Sequence, residues 1–375
     1  MSHELQGNTD ISPTRPSHHV DSVRVDGGLA CSVITSGVVP AAPETLLVMR
    51  ATAFQQQFGP AEHARLRAIA RVADPVWSQD FASDRVVARL AEVEVLLTSW
   101  GCPPLDEGVL QVAPNLRAVI HAAGSVRAHV GPSVFERGIL VTTAAAANAE
   151  PVSRYTLAAI LWSLKKVPFL FGDARLRRAD WSHRFHYGST DGPQRTVVIV
   201  GFSRVGSRVA GLLRAVGDMR ILVVDPVVAP ARIRAAGAEP VGLAEALPQA
   251  DVLSLHAPLL PETKNMIGAA ELAALRTGST VINTARGVLI DTMALERECA
   301  TGRLNAVLDV THPEPLPAAS PLYDLPNVVI TPHVAGALGA ETRMLSRAAL
   351  TEIERYAAGL PPVDAVTADG LATQA

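Results

Sequence analysis

Six side chains in the second half of the chain carry the groups needed to act on a polarised carbonyl: Asp225, His256, Arg286, Asp309, His333 and Glu314, the last five residues beyond Asp309. An arginine fork holds a carboxylate through two parallel hydrogen bonds and polarises a neighbouring ketone. A histidine, whose ordinary pKa is about 6.5, hands a proton at neutral pH to the oxygen that becomes an alcohol. A carboxylate hydrogen-bonded to that imidazole fixes the ring. The missing ingredient is a hydride source, which a bound nicotinamide supplies.

All but Glu314 stand at the ends of short apolar runs that read as buried strands. In an open parallel sheet the ligand lies off those ends, where the connecting turns converge. One stretch says what lies there. Val197-Val198-Ile199-Val200 is too short for a helix and rich in β-branched residues, so it reads as a strand. Gly201-Phe202-Ser203-Arg204-Val205-Gly206 follows, then a helical pattern through Val209, Leu212, Leu213 and Val216, then a second strand, Ile221–Val224, ending on Asp225. Such a βαβ unit seats a dinucleotide pyrophosphate at a helix N-terminus and offers its terminal acid to a ribose diol. The usual spacing is G-x-G-x-x-G, and Ser203 replaces the middle glycine. Its hydroxyl is expected to donate to a phosphate oxygen and alter affinity without abolishing binding. Asp225 lies 24 residues after Gly201 with no arginine immediately after it, which favours NAD over NADP.

The 375 residues suffice for two or three domains with large cores. An apolar content of 48% with only 4% aromatic residues fits an Ala/Val/Leu-rich α/β protein. A net charge of −3 gives no reason to expect nucleic acid or an anionic membrane as partner. Cys31, Cys102 and Cys299 are odd in number and widely spaced, which suits a reduced cytoplasmic chain. No apolar run is long enough to cross a bilayer, and residues 1–20 lack the apolar core of a signal peptide. No metal site is expected, and His18-His19 reads as part of a solvated tail.

Residues 1–42 lack any sustained period and are expected to be a disordered or loosely docked arm. Strand patterns at Leu46–Met49, Pro75–Trp77, Val93–Leu97, Arg117–His121 and Ile139–Thr142 alternate with helical ones at Glu62–Val72, Arg85–Leu90 and Leu105–Val112. That alternation predicts a parallel sheet covered on both faces. A long helix is expected over Val152–Leu170, then a polar connection over Arg175–Gln194, then the nucleotide-binding half with strands at Asp251–Leu255, Thr280–Asn283, Asn305–Asp309 and Val328–Ile330. A last amphipathic helix is expected over Glu341–Tyr356, with the tail from Pro361 frayed. The expected fold is α/β, two doubly wound parallel-sheet domains around a cleft. Residues 43–151 plus 337–362 would form a flavodoxin-like substrate-binding domain, 152–336 a Rossmann NAD-binding domain, and 363–375 a frayed tail.

From about residue 93 to 336 the chain resembles the D-isomer-specific 2-hydroxyacid dehydrogenase family. The likeness rests on four ordered motifs: His256-Ala257-Pro258, Asn283-Thr284-Ala285-Arg286-Gly287, Asp309-Val310 with Glu314-Pro315, and Thr331-Pro332-His333-Val334-Ala335-Gly336. The resemblance implies that Arg286, Glu314 and His333 are the catalytic trio. It implies cofactor contacts from Gly201, Ser203, Arg204, Val205, Gly206, Asp225, His256, Pro258, Thr284, Ala285, Asp309 and His333, with Asp309 at the nicotinamide carboxamide. Ala123, Gly124 and Ser125 would present N–H groups to the substrate carboxylate beside Arg286. A homodimer formed through the cofactor domain is also implied.

The chain departs from the family pattern where the substrate loop reads Gly124-Ser125-Val126-Arg127-Ala128 instead of G-x-D-N-I-D, and where Val152-Ser153-Arg154 replaces V-A-E. Arg127 and Trp100 are further candidate substrate contacts. His256 reads equally as a buried structural histidine or a cofactor contact. The expected function is interconversion of a small 2-keto acid and its D-2-hydroxy acid with NAD. The alternative is an NADH-sensing regulatory protein on the same scaffold. The identity of the 2-hydroxy acid is left open.

Overall fold

The computed structural model describes residues 42–185, 187 and 195–371. The arm up to residue 41, His18-His19, Cys31, His186 and the last four residues lie outside them. In chain order the strands are β1 (Thr45–Val48), β2 (Trp77–Ser78), β3 (Val95–Thr98), β4 (Ala118–His121), β5 (Leu140–Thr143), β6 (Arg195–Val200), β7 (Met219–Val224), β8 (Glu239–Pro240), β9 (Val252–Leu255), β10 (Thr280–Asn283), β11 (Asn305–Leu308), β12 (Val328–Ile330) and β13 (Ala365–Val366). The helices are α1 (Ala51–Gln57), α2 (Pro60–Ile69), α3 (Asp84–Leu90), α4 (Glu107–Val112), α5 (Pro132–Glu136), α6 (Ala145–Leu164), α7 (Val167–Arg177), α8 (Arg204–Val216), α9 (Pro230–Ala235), α10 (Leu243–Ala246), α11 (Ala269–Ala274), α12 (Thr292–Ala300), α13 (Arg343–Ala357) and α14 (Ala368–Leu371).

Two doubly wound sheets result. The first runs β13-β5-β4-β3-β1-β2, parallel except for β13, which is the flavodoxin-like order with one added edge strand. The second runs β12-β11-β10-β9-β6-β7-β8 and is parallel throughout. Strands buried on both faces explain the unbroken apolar runs. In β6, Val198 and Val200 enter one core while Val197 and Ile199 enter another. In β1, Leu46 and Val48 face one side, and Leu47 the other. Helix α8 covers the second sheet with Val209, Ala210 and Leu213, each large aliphatic side chain contributing about 1.5–3 kcal/mol by burial. Helix α13 covers the first sheet with Ala349, Leu350 and Ile353.

Three expected boundaries shift. Helix α6 starts at Ala145, seven residues before Val152, because the alanine-rich Ala145–Ala149 run carries the helix through Pro151. It stops at Leu164, since Lys166 turns left-handed at φ 57° and sends its ammonium to the Gly278 carbonyl (2.5 Å). The chain then re-enters helix α7, so the expected polar connection is helical as far as Arg177. The third shift is at the end. Residues 365–366, expected to be frayed, pair antiparallel with Thr142 and Val141 of β5, and Val366 is buried against the first core.

Candidate active site

The second sheet reverses its order between β6 and β9, and the turns leaving those strands abut. A Cβ on Gly201 (φ 94°) would stand 2.6 Å from the Ala257 nitrogen, and one on Gly206 would stand 2.0 Å from the Gly201 carbonyl oxygen. Both glycines are therefore required by backbone contact. Position 203 is different: its φ of −70° is open to any residue, and Ser203 is the N-cap of α8. Its hydroxyl donates to the His256 carbonyl (3.1 Å). That bond pins the glycine turn to the neighbouring strand end. The N–H groups of Arg204 and Val205, the first of the helix, have no acceptor within it, which suits a pyrophosphate. Asp225 buttresses this turn, accepting from Phe202 N (2.6 Å) through one oxygen and from Val227 N and Val228 N (2.8 Å each) through the other.

The glycine turn faces a cleft of about 330 Å³. Of the residues expected to contact cofactor or substrate, Gly124, Ser203, Arg204, Val205, His256, Thr284, Ala285 and Arg286 line it. Gly201, Gly206, Asp225, Pro258, Asp309, Glu314, His333, Ala123 and Ser125 do not. Among the described residues no cluster of three or more His, Cys, Asp or Glu could hold a metal ion.

His333 and Glu314 meet directly, Nδ1 to Oε1 at 2.6 Å, with both side chains about half exposed (53% and 44%). His333 adopts a left-handed φ of 54°, rare for a residue with a side chain and costing on the order of 1–3 kcal/mol. The surrounding turn holds it there. Its N–H donates to the Asp309 carbonyl (3.0 Å), while the buried Asp309 carboxylate accepts from Thr331 Oγ1 (2.6 Å), Val334 N (2.8 Å) and Ala335 N (2.9 Å). Asp309, expected at the carboxamide, is engaged in shaping the loop that presents His333. Arg286 is half-buried at the end of β10. Burial pushes its pKa down, the nearby Glu314 carboxylate pulls it up, and Arg127 pushes it down. Arg127 itself reaches across to the Leu259 carbonyl (2.7 Å).

The other histidines near the cleft are of another kind. His256 is buried, bonded to Ser254 Oγ (2.9 Å), and pushed down by burial to about 3. The His121 and His129 rings meet tilted, 4.6 Å apart, around Thr98 Oγ1, and burial holds the first well below its usual value and the second down to about 4. Burial disfavours the charged form of all three. His256 is thus a buried histidine that also lines the cleft.

Helix α6 is the spine that fixes the site. Tyr155 OH bonds Thr331 Oγ1 (2.6 Å) and Thr156 Oγ1 bonds Thr284 Oγ1 (2.9 Å), tying the helix to two site-bearing strand ends. Asn148 was missed by sequence reasoning. It lines the cleft and accepts from Ala337 N (3.0 Å), joining the two segments in which the chain passes from one sheet to the other. Ala365, Val366, Thr367 and Gly370 of the C-terminal segment also line the cleft unforeseen. No sequence signal marks either, because both depend on residues distant in the chain.

Residues 157–335 match the model of the D-isomer specific 2-hydroxyacid dehydrogenase, NAD binding domain. The D-3-phosphoglycerate dehydrogenase of Mycobacterium bovis is 34% identical over 78% of this chain and 55% of its own length. The chain thus spans about half the length of that relative. The glyoxylate reductase of Korarchaeum cryptofilum is 33% identical over 69% of this chain and 77% of its own. The D-lactate dehydrogenase of Aquifex aeolicus, solved with NAD and lactic acid, superposes with a TM-score of 0.64 at 25% identity, covering 84% of this chain and 96% of that one. With two doubly wound sheets, the glycine turn at their cleft and these likenesses in agreement, the chain belongs to the D-isomer specific 2-hydroxyacid dehydrogenase family, and residues 157–335 are its NAD-binding domain.

Proposed function

We propose that the protein is an NAD-dependent oxidoreductase that interconverts a small 2-keto acid and its D-2-hydroxy acid. The observation that carries this is the placement of Glu314, which holds the His333 ring at 2.6 Å and lies within electrostatic reach of Arg286. Bound NADH supplies the hydride. Arg286 binds the substrate carboxylate and polarises the adjacent carbonyl. With Nδ1 engaged by Glu314, His333 has Nε2 left to donate the proton to the carbonyl oxygen on reduction, and to take it back on oxidation. Burial disfavours a charged ring at His121, His129 and His256, whereas His333 is half-exposed and paired with Glu314, as a proton carrier needs. Gly124, in the turn after β4, offers its backbone to the substrate carboxylate. The α8 N-terminus takes the pyrophosphate, Asp225 the ribose and Thr284-Ala285 the nicotinamide side.

In this reading residues 43–151 plus 337–362 are the substrate-binding domain and 152–336 the cofactor domain. Exposed Trp162, Phe171, Leu176 and Trp181 on and after α6–α7 support a homodimer, and light scattering at the mass of one chain would contradict it. The free Cys102 and Cys299 fit a reducing, cytoplasmic setting. The sensing alternative draws nothing from the relatives, which are named as dehydrogenases and a reductase. The test is a panel of 2-keto acids of graded size and charge with NADH, with chiral analysis of the product. Consumption of NADH with a D-2-hydroxy acid formed is expected, and an L product or no consumption with any acid refutes the proposal.

A further inference from the structure

The C-terminal strap ends against the glycine turn, and one acid joins them. Asp364 is buried and tied down from several sides. Its N–H and that of Val363 donate to the buried Glu352 carboxylate of α13 (3.0 Å each), and its carbonyl accepts from Thr143 N (3.2 Å). Its Oδ2 accepts from Ala146 N (3.2 Å) and the Thr143 hydroxyl (3.4 Å). Its Oδ1 takes the guanidinium of Arg204 in an ion pair. Arg204 is the first residue of α8, directly after the Ser203 cap, and its side chain is 47% exposed against 11% for Asp364. The acid is anchored and the base is half-exposed. Val366, Thr367 and Gly370, just beyond Asp364, line the same cleft as Ser203, Arg204 and Val205.

We infer that Asp364 sets the coenzyme affinity, acting as an internal counter-ion from which the dinucleotide pyrophosphate must take Arg204. This rests on the NAD reading of the cleft. The pyrophosphate brings two negative charges to the α8 N-terminus, where free N–H groups and the helix dipole favour them. Arg204 is the nearest side-chain cation on that helix, and guanidinium pairs well with phosphate oxygens. Asp364 competes for the guanidinium and cannot retreat, because its backbone and second oxygen are held. Asp364 is therefore a positioning residue that weakens coenzyme binding and eases its release.

The test is a thermodynamic cycle of NADH dissociation constants, read by fluorescence titration, for the wild type, Asp364→Asn, Arg204→Gln and the double variant. Asparagine keeps an acceptor for Ala146 N. Asp364→Asn is expected to tighten NADH about two- to fivefold, the range of a half-exposed ion pair. Arg204→Gln is expected to weaken it, and the gain from Asp364→Asn is expected to shrink in the Arg204→Gln background and in about 1 M salt. Unchanged or weaker binding by an Asp364→Asn protein that melts like the wild type overturns the inference. So does a gain of equal size without Arg204. If Asp364→Asn melts early, the Arg204 arm decides, since no strap residue is substituted there: equal affinity of the wild type and Arg204→Gln overturns it. A wild-type protein that binds no NADH sinks the coenzyme reading itself, and this inference with it.

Discussion

Lowering the pH from about 7 to about 5 should strip several kcal/mol from the fold. His129 and His256 are held neutral by burial, down to about 4 and about 3, and His121 is pushed in the same direction. An unfolded histidine takes up its proton at about pH 6.5. Above that pH both states are neutral and the full stability is present. Below it only the unfolded chain binds protons, so stability falls with pH until the folded values are reached. From pH 6.5 to 5 each such histidine costs about 2 kcal/mol, hence about 4 kcal/mol for His129 and His256 together, out of a typical total of about 5–15 kcal/mol. The paired acids Glu44, Glu62 and Glu354 have lowered values, so their share is lost only at more acidic pH. Urea unfolding followed by circular dichroism at the two pH values measures the loss. The His129→Gln protein should show about 2 kcal/mol less of it. Equal stability at both pH values would refute the burial argument, and with it the assignment of these histidines as bystanders to proton transfer.

Other consequences are as direct. Gly206→Ala puts a Cβ 2.0 Å from the Gly201 carbonyl oxygen; it should cost about 1–3 kcal/mol in unfolding free energy and abolish NADH binding by titration. Thr156→Val leaves the buried Thr284 hydroxyl without its 2.9 Å partner, a loss of about 1–3 kcal/mol in urea unfolding. Glu314→Gln keeps an acceptor for His333 Nδ1 but removes the charge, so kcat should fall by about tenfold or more while the NADH dissociation constant stays unchanged.

The two-sheet architecture was legible because strands buried on both faces must be continuous apolar runs, as in Val197–Val200 and Val95–Leu97. Local signals failed where the outcome depends on distant partners. Nothing in Ala365-Val366 marks a strand until Val141 and Thr142 are beside it. The helix expected from Val152 begins at Ala145, because the alanines ahead of Pro151 carry no amphipathic period to mark it. Ser203 was legible only in part. Its place before a helical run is an N-cap signature, but its bond to His256 O needs the β9 turn at hand. The same holds for Asp309, whose strand-end position suggested a ligand contact while its oxygens secure the His333 loop.

The proposed chemistry centres on His333. Steady-state reduction of an accepted 2-keto acid by wild type and His333→Ala, with NADH binding measured on both, tests it most directly. A fall in kcat of about 10²–10⁴ with NADH affinity preserved is the predicted result. A His333→Ala protein that turns over at the wild-type rate would contradict it.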